Sequence, residues 1–433
     1  MIRICSYIIL VSLVMLPSFL DAQNGKPRNG RFALTGATIN TVTKGIITNG
    51  TVLIEDGKIS AVGTNVAIPQ GTTVLDCSGQ WIYPGMINGG TRIGLLEIGQ
   101  IPQASDQREK GEVVPQMKAL TAVNPNSAHI PVTRVNGVTT VLAVPDGGLF
   151  PGTAALIDLH GYTSAQLYRD FEGVLLNFPV RGRRGAFDRR TDEEIKKTFE
   201  KDLAMLNDVW DKAMQFYKLD SATQGKDIDY YPEMLALLPV IQGKIPVMIE
   251  VNAAKDIQAA LQWAKERKLK KVILTGVSEG WRVADEIAGA GHPVITGPVL
   301  EEPTRDYDRY DRPYANAGLM HKAGVKVALR TMSGTGNDRN LPYHAGFAAA
   351  YGLGKEEALK AVTITAAEIF GVQDKLGSIE AGKHATLLVC NGDPFETQTI
   401  LKYVFINGWQ MPMTSRQTEL HEEFLLREPG VKK

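Results

Sequence analysis

"IPVMIEVNAAKDIQAALQWAKERKLKKVILTG", residues 245–276, contains one whole folding unit. Two short apolar runs, 245–252 and 270–276, read as buried parallel strands. The stretch between them, "AKDIQAALQWAKERK", is amphipathic and of helix length. The unit repeats outward in both directions. "GVTTVLAVP" (137–145), "HPVITGP" (292–298) and "GVKVALRT" (324–331) are further strand candidates, and "EGWRVADEIAGAG" is a further helix. Strand-then-helix order implies a parallel sheet, and over residues 84–375 the leading form is a (β/α)8 TIM-like barrel. Residues 191–219 form a long helix in this reading, with a capping box from Thr191 to Glu194.

The chain ends have a different texture. "FALTGATINT", "GTVLIEDGKISAVG" and "TTVLDCSGQWIYP" are β-branched runs closed by turn residues. Asp56-Gly57 between two such runs is a hairpin signal. The pattern returns in "GSIEAGKHATLLVCNGDP" and "LKYVFINGWQMP". The economical reading is one small β-sandwich domain built from both chain ends, so the fold class is α/β with a bracketing β domain. The expected boundaries are a signal peptide at 1–22, a linker at 23–31, β segments at 32–83 and 376–413 around the barrel at 84–375, and a tail at 414–433.

Composition narrows the function classes. The chain has 433 residues, 44% hydrophobic and 22% charged, an ordinary globular balance. Lys plus Arg is 47 and Asp plus Glu is 47, which argues against a general polyanion binder, so no nucleic acid partner is expected. "FPVRGRRGAFDRR" (178–190) is a local basic run, read as a solvated loop with docking of an acidic partner as the alternative. The start, "MIRICSYIILVSLVMLPSFLDAQ", has a charged residue, a short apolar run and a small residue at Ala22, as a secretory signal does. The apolar run, Tyr7 to Leu20, is interrupted by Ser12, Pro17 and Ser18 and is shorter than the ~20 residues of a membrane span. Export to the periplasm or medium is therefore expected, without a stable membrane span. Cys77 and Cys390 then remain, either as one disulfide or, the favoured reading, as two buried thiols.

"WIYPGMINGGTRIGL" (81–95), "NGVTTVL", "GVKVAL", "NDRNLPYHAGFAAAYGLGKEEALKAVTITAAEIFGV" and "KLGSIEAGKHATLLVCNGDPFE" together resemble the amidohydrolase superfamily, in particular its imidazolonepropionase-like branch. The resemblance covers nearly everything after the first two dozen residues. It implies the barrel, the bracketing β domain, and a metal-centred hydrolase acting on non-peptide C–N bonds. It also implies association into dimers or larger, here with a second copy or an active homologue.

That chemistry needs His or carboxylate ligands at the strand ends, because the cation must acidify a bound water. The resemblance places the first-strand histidine pair on Gly90 and Arg92. The middle-strand pair falls on Glu250 and Asn252, the next histidine on Thr275, and the closing aspartate on Met332. Arg is donor-only and always charged, so Arg92 would repel a cation. The seven histidines show no metal-pair spacing. His160 and His344, the two near plausible loops, read as structural. No metal or other cofactor is therefore expected.

Arg92, Arg330 and Glu250 could instead form an ion-pair plug, or an anion pocket with Asn252, Thr275 and Asn337 as further contacts. The ligand expected is small and anionic or amide-like. The overall expectation is a metal-free binding protein or pseudoenzyme. The alternative is a metal-free hydrolase with Glu250 as general base, Arg92 and Arg330 stabilising an oxyanion, and Glu97 as a second carboxylate. "GPVLEEPTRDYDRYDRPYANAG" (297–318) should lie over the barrel mouth, as a specificity loop or as a solvated loop tied by its own ion pairs.

Overall fold

The computed structural model describes residues 26–182, 188–223, 226, 229–332 and 336–427. The signal-like segment and the centre of the basic run at 183–187 lie outside the described residues.

The first sheet comes from both ends of the chain. Its N-terminal strands are β1 (Phe32–Asn40), β2 (Ile46–Glu55), β3 (Lys58–Gly63), β4 (Thr73–Asp76) and β5 (Trp81–Pro84). A type I′-like turn joins β2 to β3, with Asp56 at φ 47 and Gly57 at φ 77. The unit is not wholly antiparallel, because β4 and β5 both run parallel to β1.

The second sheet is the barrel: β6 (Met86–Thr91), β7 (Val138–Ala143), β8 (Gly152–Asp158), β9 (Tyr168–Asn177), β10 (Val247–Val251), β11 (Val272–Gly276), β12 (Val294–Thr296) and β13 (Val327–Leu329). They lie side by side in chain order. The strands β14 (Leu387–Cys390), β15 (Leu401–Ile406) and β16 (Trp409–Gln410) then return to the first sheet, β14 pairing with β5. A second tight turn, Asn407 at φ 49 and Gly408 at φ 78, joins β15 to β16.

The expectation of an all-parallel barrel needs one correction. β8 runs antiparallel to both β7 and β9. The links 144–151 and 159–167 explain why. A parallel return needs a dozen or more residues, usually with a helix, and these links are shorter.

The barrel is filled rather than hollow. Ile87, Leu142, Leu156, Leu175, Met248, Ile273, Ile295 and Ala328, one from each strand, form its interior. Full burial of such a side chain stabilises by roughly 1.5–3 kcal/mol for the larger ones. Outside, a shell of apolar side chains joins strands to helices. The long helix is Asp192–Thr223, capped by reciprocal bonds between Thr191 and Glu194. It docks through Trp210, edge-on to Trp263 at 5.5 Å, while Trp263 Nε1 donates to Asn207. Among the described residues no helix is long and apolar enough to cross a membrane. Cys77 and Cys390 are free and buried, and burial pushes each thiol up to about 11.

Candidate functional site at the barrel mouth

Side chains alternate along a strand, so the residue two beyond an interior position also faces inward. Two beyond Met248, Ile273 and Ala328 stand Glu250, Thr275 and Arg330, at the carboxyl ends of their strands. The structure brings these three together. Arg330 Nη1 donates to Glu250 Oε2 at 2.7 Å and Nη2 to Oε1 at 2.6 Å. Thr275 Oγ1 donates to Glu250 Oε2 at 2.7 Å, and Asn252 Nδ2 lies 3.5 Å from Oε1. Arg330 Nε is held by the Gly297 carbonyl at 3.1 Å. The Arg330 side chain is only 4% exposed. Burial pushes the Glu250 carboxyl up, but the charge and hydrogen bonds of Arg330, with those of Thr275 and Asn252, more than offset it and hold it below its ordinary range.

Glycines make the room for this pair. A Cβ on Gly90 would lie 3.1 Å from Arg330 Cδ, and one on Gly276 would lie 2.7 Å from Glu250 Oε1. One on Gly297 would meet the Arg330 carbonyl at 2.1 Å. The Arg330 stem thus crosses over Gly90.

Other nominated residues go elsewhere. Arg92 is not part of the pair: its Nη2 sits 3.3 Å from Asp146 Oδ2, on the loop after β7. Its Nε is buried without a hydrogen-bond partner. Glu97 receives Asn124 Nδ2 at 3.5 Å and shares no hydrogen bond with Glu250. Asn337 opens a 3-10 turn, Asn337–Asn340, beyond β13. Asn252 Oδ1 accepts from Ser278 Oγ at 3.1 Å. His344 is 5% exposed and its Nδ1 accepts from the Val299 N–H at 3.0 Å; burial brings its pKa down to about 4.

The residue beside Asn337 matters more than Asn337 itself. Asp338 is 1% exposed and accepts from Thr331 Oγ1 at 2.5 Å. Asn88 Nδ2 donates to Thr331 Oγ1 at 2.7 Å, and Asn88 Oδ1 accepts from Thr331 N at 3.1 Å. With the Met332 N–H bonded to the Gly90 carbonyl at 2.9 Å, this network closes the barrel between β6 and β13. Burial raises the Asp338 pKa to about 6, against hydrogen bonds from Thr331 and Thr91. The residue pattern offered no alternation or spacing that would single it out.

The loop after β12 is tied down, though not mainly to itself. Arg305 Nη2 donates to Glu279 Oε2 at 2.7 Å, and Arg305 Nε also reaches Glu279. Arg282 pairs with Asp308, and the guanidiniums of Arg282 and Arg312 both lie over the Trp281 ring, at 4.1 and 4.6 Å. Glu279 and Arg282 belong to the loop after β11, so two mouth loops are clamped together. Beside Glu250 opens a cavity of about 490 Å³ lined by Glu112, Asp146, Asn177, Asn252 and Asp256 among others. Among the described residues, no group of three or more His, Cys, Asp or Glu is placed to hold a metal ion.

This architecture has relatives. The amidohydrolase family model matches residues 310–411. The imidazolonepropionase of Mesorhizobium japonicum is 25% identical over 402 residues, covering 86% of this chain and 94% of its own length. The 5-methylthioadenosine/S-adenosylhomocysteine deaminase of Thermodesulfovibrio yellowstonii is 23% identical, covering 88% of this chain and 92% of its own. Among solved structures, an amidohydrolase from Thermotoga maritima superposes with a TM-score of 0.78 at 25% identity, covering 89% of this chain and all of that one. A filled barrel with its polar residues at one mouth and a β domain from both ends is thus the fold this chain shares with that amidohydrolase, and over residues 310–411 its sequence matches the amidohydrolase family. Imidazolonepropionases recur among the relatives it resembles, that of Fusobacterium nucleatum being 24% identical over 79% of this chain.

Proposed function

We propose that this chain is an exported amidohydrolase-family protein in which an ion pair stands where its relatives' chemistry needs a cation. It works as a metal-free binding protein, a pseudoenzyme that partners a second copy or an active homologue. The observation that carries this is the two-point contact of Arg330 on Glu250. The donor set does not suit a cation. Glu250 is the one carboxylate at the expected ligand places, and Arg330 engages both its oxygens. Gly90 offers no ligand, and a thioether at Met332 and a hydroxyl at Thr275 are weak donors for zinc. A guanidinium fixed among these strands repels a divalent ion.

The reading of Glu250 as general base is weaker. A base at neutral pH needs a raised pKa and a free lone pair facing substrate. Glu250 is held low and both its oxygens are engaged. The mouth cavity suits a neutral, amide-like ligand better than an anionic one, since Glu112, Asp146, Glu250 and Asp256 line it. Export rests on the residue pattern of the first two dozen positions. The test is hydrolysis of a panel of cyclic amides by the purified protein, with and without added zinc. The proposal expects background rates in both. Zinc-stimulated hydrolysis that disappears in Glu250→Gln overturns it.

A further inference from the structure

The barrel's opposite end holds a second candidate site. Because β8 is reversed, the residues that follow it, Leu159 to Tyr162, emerge at the amino ends of the parallel strands, away from Glu250. There they meet Arg134, which precedes β7. Between them lies a cavity of about 250 Å³, lined by Asn126, Ser127, Arg134, His160 and Tyr162, with Pro27 of the N-terminal linker at its edge. No Asp or Glu lines it.

Arg134 is incompletely satisfied. Nη1 makes one long bond, 3.4 Å, to the Leu159 carbonyl. Nε is buried with no partner, and of the three guanidinium nitrogens Nη1 alone has a hydrogen bond among the described residues. Burial opposes its charge, and among the described residues no carboxylate compensates. The nearby carboxylate, Asp158, is already committed to Arg169, Thr140 and Asn407. His160 cannot neutralise Arg134. Its ring packs against Trp409 at 5.3 Å, and burial and the neighbouring Arg134 hold its pKa down, so at neutral pH it is an uncharged hydrogen-bonding group. A buried cation without a counter-charge is costly unless something else supplies the charge. A guanidinium offers several N–H donors to one oxyanion and supplies its counter-charge.

We propose that this cavity binds a small oxyanion, a phosphate, sulfate or carboxylate group, on the guanidinium of Arg134 through the Nη2 that has no partner among the described residues, with His160, Asn126, Ser127 and Tyr162 around it. The occupant would join the barrel floor, the linker at Pro27 and, through His160 on Trp409, the β domain. The site is independent of the mouth, and its test does not touch Glu250 or Arg330.

The test is thermal unfolding and titration calorimetry of the full chain in sodium phosphate against sodium chloride at equal ionic strength. Phosphate should bind at one site per chain and raise the melting temperature with the logarithm of its concentration. Arg134→Met should melt in chloride no lower than the unaltered protein, lose the phosphate shift, and bind phosphate roughly ten- to a hundredfold more weakly. Arg134→Lys, which keeps the charge but not the fork, should also lose most of the affinity. Stabilisation by acetate in place of phosphate, dependent on Arg134, supports the proposal with a carboxylate as occupant. No anion-dependent shift, or an equal shift in Arg134→Met, overturns it.

Discussion

Arg330 of β13's exit and Glu250 of β10 meet across the barrel mouth in a two-point ion pair, Nη1 to Oε2 at 2.7 Å and Nη2 to Oε1 at 2.6 Å. The pair lies over Gly90, with Thr275 supplying a third bond to the carboxylate. Breaking a buried pair from one side costs more than the pair is worth, because the remaining charge loses its partner. Arg330→Met should therefore destabilise by about 3–5 kcal/mol, measured by urea unfolding. The double variant Arg330→Met, Glu250→Leu should recover much of that loss. Additive losses in the double variant would contradict the coupling.

The same pair sets an acid response. The folded-state pKa of Glu250 lies below its ordinary value of 4.5. Its contribution is therefore fully present above that value and lost as pH falls through the folded-state pKa. Unfolding free energy measured below pH 4.5 should fall more steeply in the unaltered protein than in Arg330→Met. Parallel pH profiles would show that Arg330 does not hold the carboxyl down.

Asp338 works in the other direction. Its pKa rises from 3.8 to about 6 in the folded chain. The sign is reversed, so stability is lost as pH rises between those values and stays lost above. The difference corresponds to about 3 kcal/mol. Asp338→Asn keeps an oxygen for the Thr331 hydroxyl and removes the charge. Its stability relative to the unaltered protein should improve by about that amount between pH 3.5 and pH 7, read from chemical denaturation at each pH. No pH dependence in that difference would mean the carboxyl titrates normally.

Gly90 tests the steric half of the account. With Arg330 Cδ 3.1 Å from where a Cβ would stand, a histidine there must displace the arginine. Gly90→His should cost about 1–3 kcal/mol, as overpacking does, and should cost much less when introduced into an Arg330→Gly chain than into the unaltered one. A Gly90→His protein as stable as the original would show that the Arg330 stem does not occupy that space.

Much of the fold was legible because two periodicities mark it. Apolar runs separated by amphipathic stretches announced the barrel, and Asp56-Gly57 with Asn407-Gly408 announced hairpins at both ends. The reversed strand β8 escaped because "GTAALID" is buried throughout, leaving no alternation to read, although the short links beside it hold the clue. At the site, Arg92 and Arg330 look equivalent in the sequence. Only three dimensions separate them, since Asp146 lies beside one and Glu250 beside the other. Asp338 escaped for a related reason. Its burial depends on Thr331 and Asn88, the latter 250 residues away in the chain, and nothing local distinguishes it from Asn337.

The central claim is that a guanidinium stands where a cation would have to sit. It is tested most directly by elemental analysis of the purified full chain after incubation with zinc, manganese or iron and removal of excess ion. The account predicts well under one equivalent of any of them, unchanged by Glu250→Gln. A full equivalent of one metal, lost in Glu250→Gln, would contradict it.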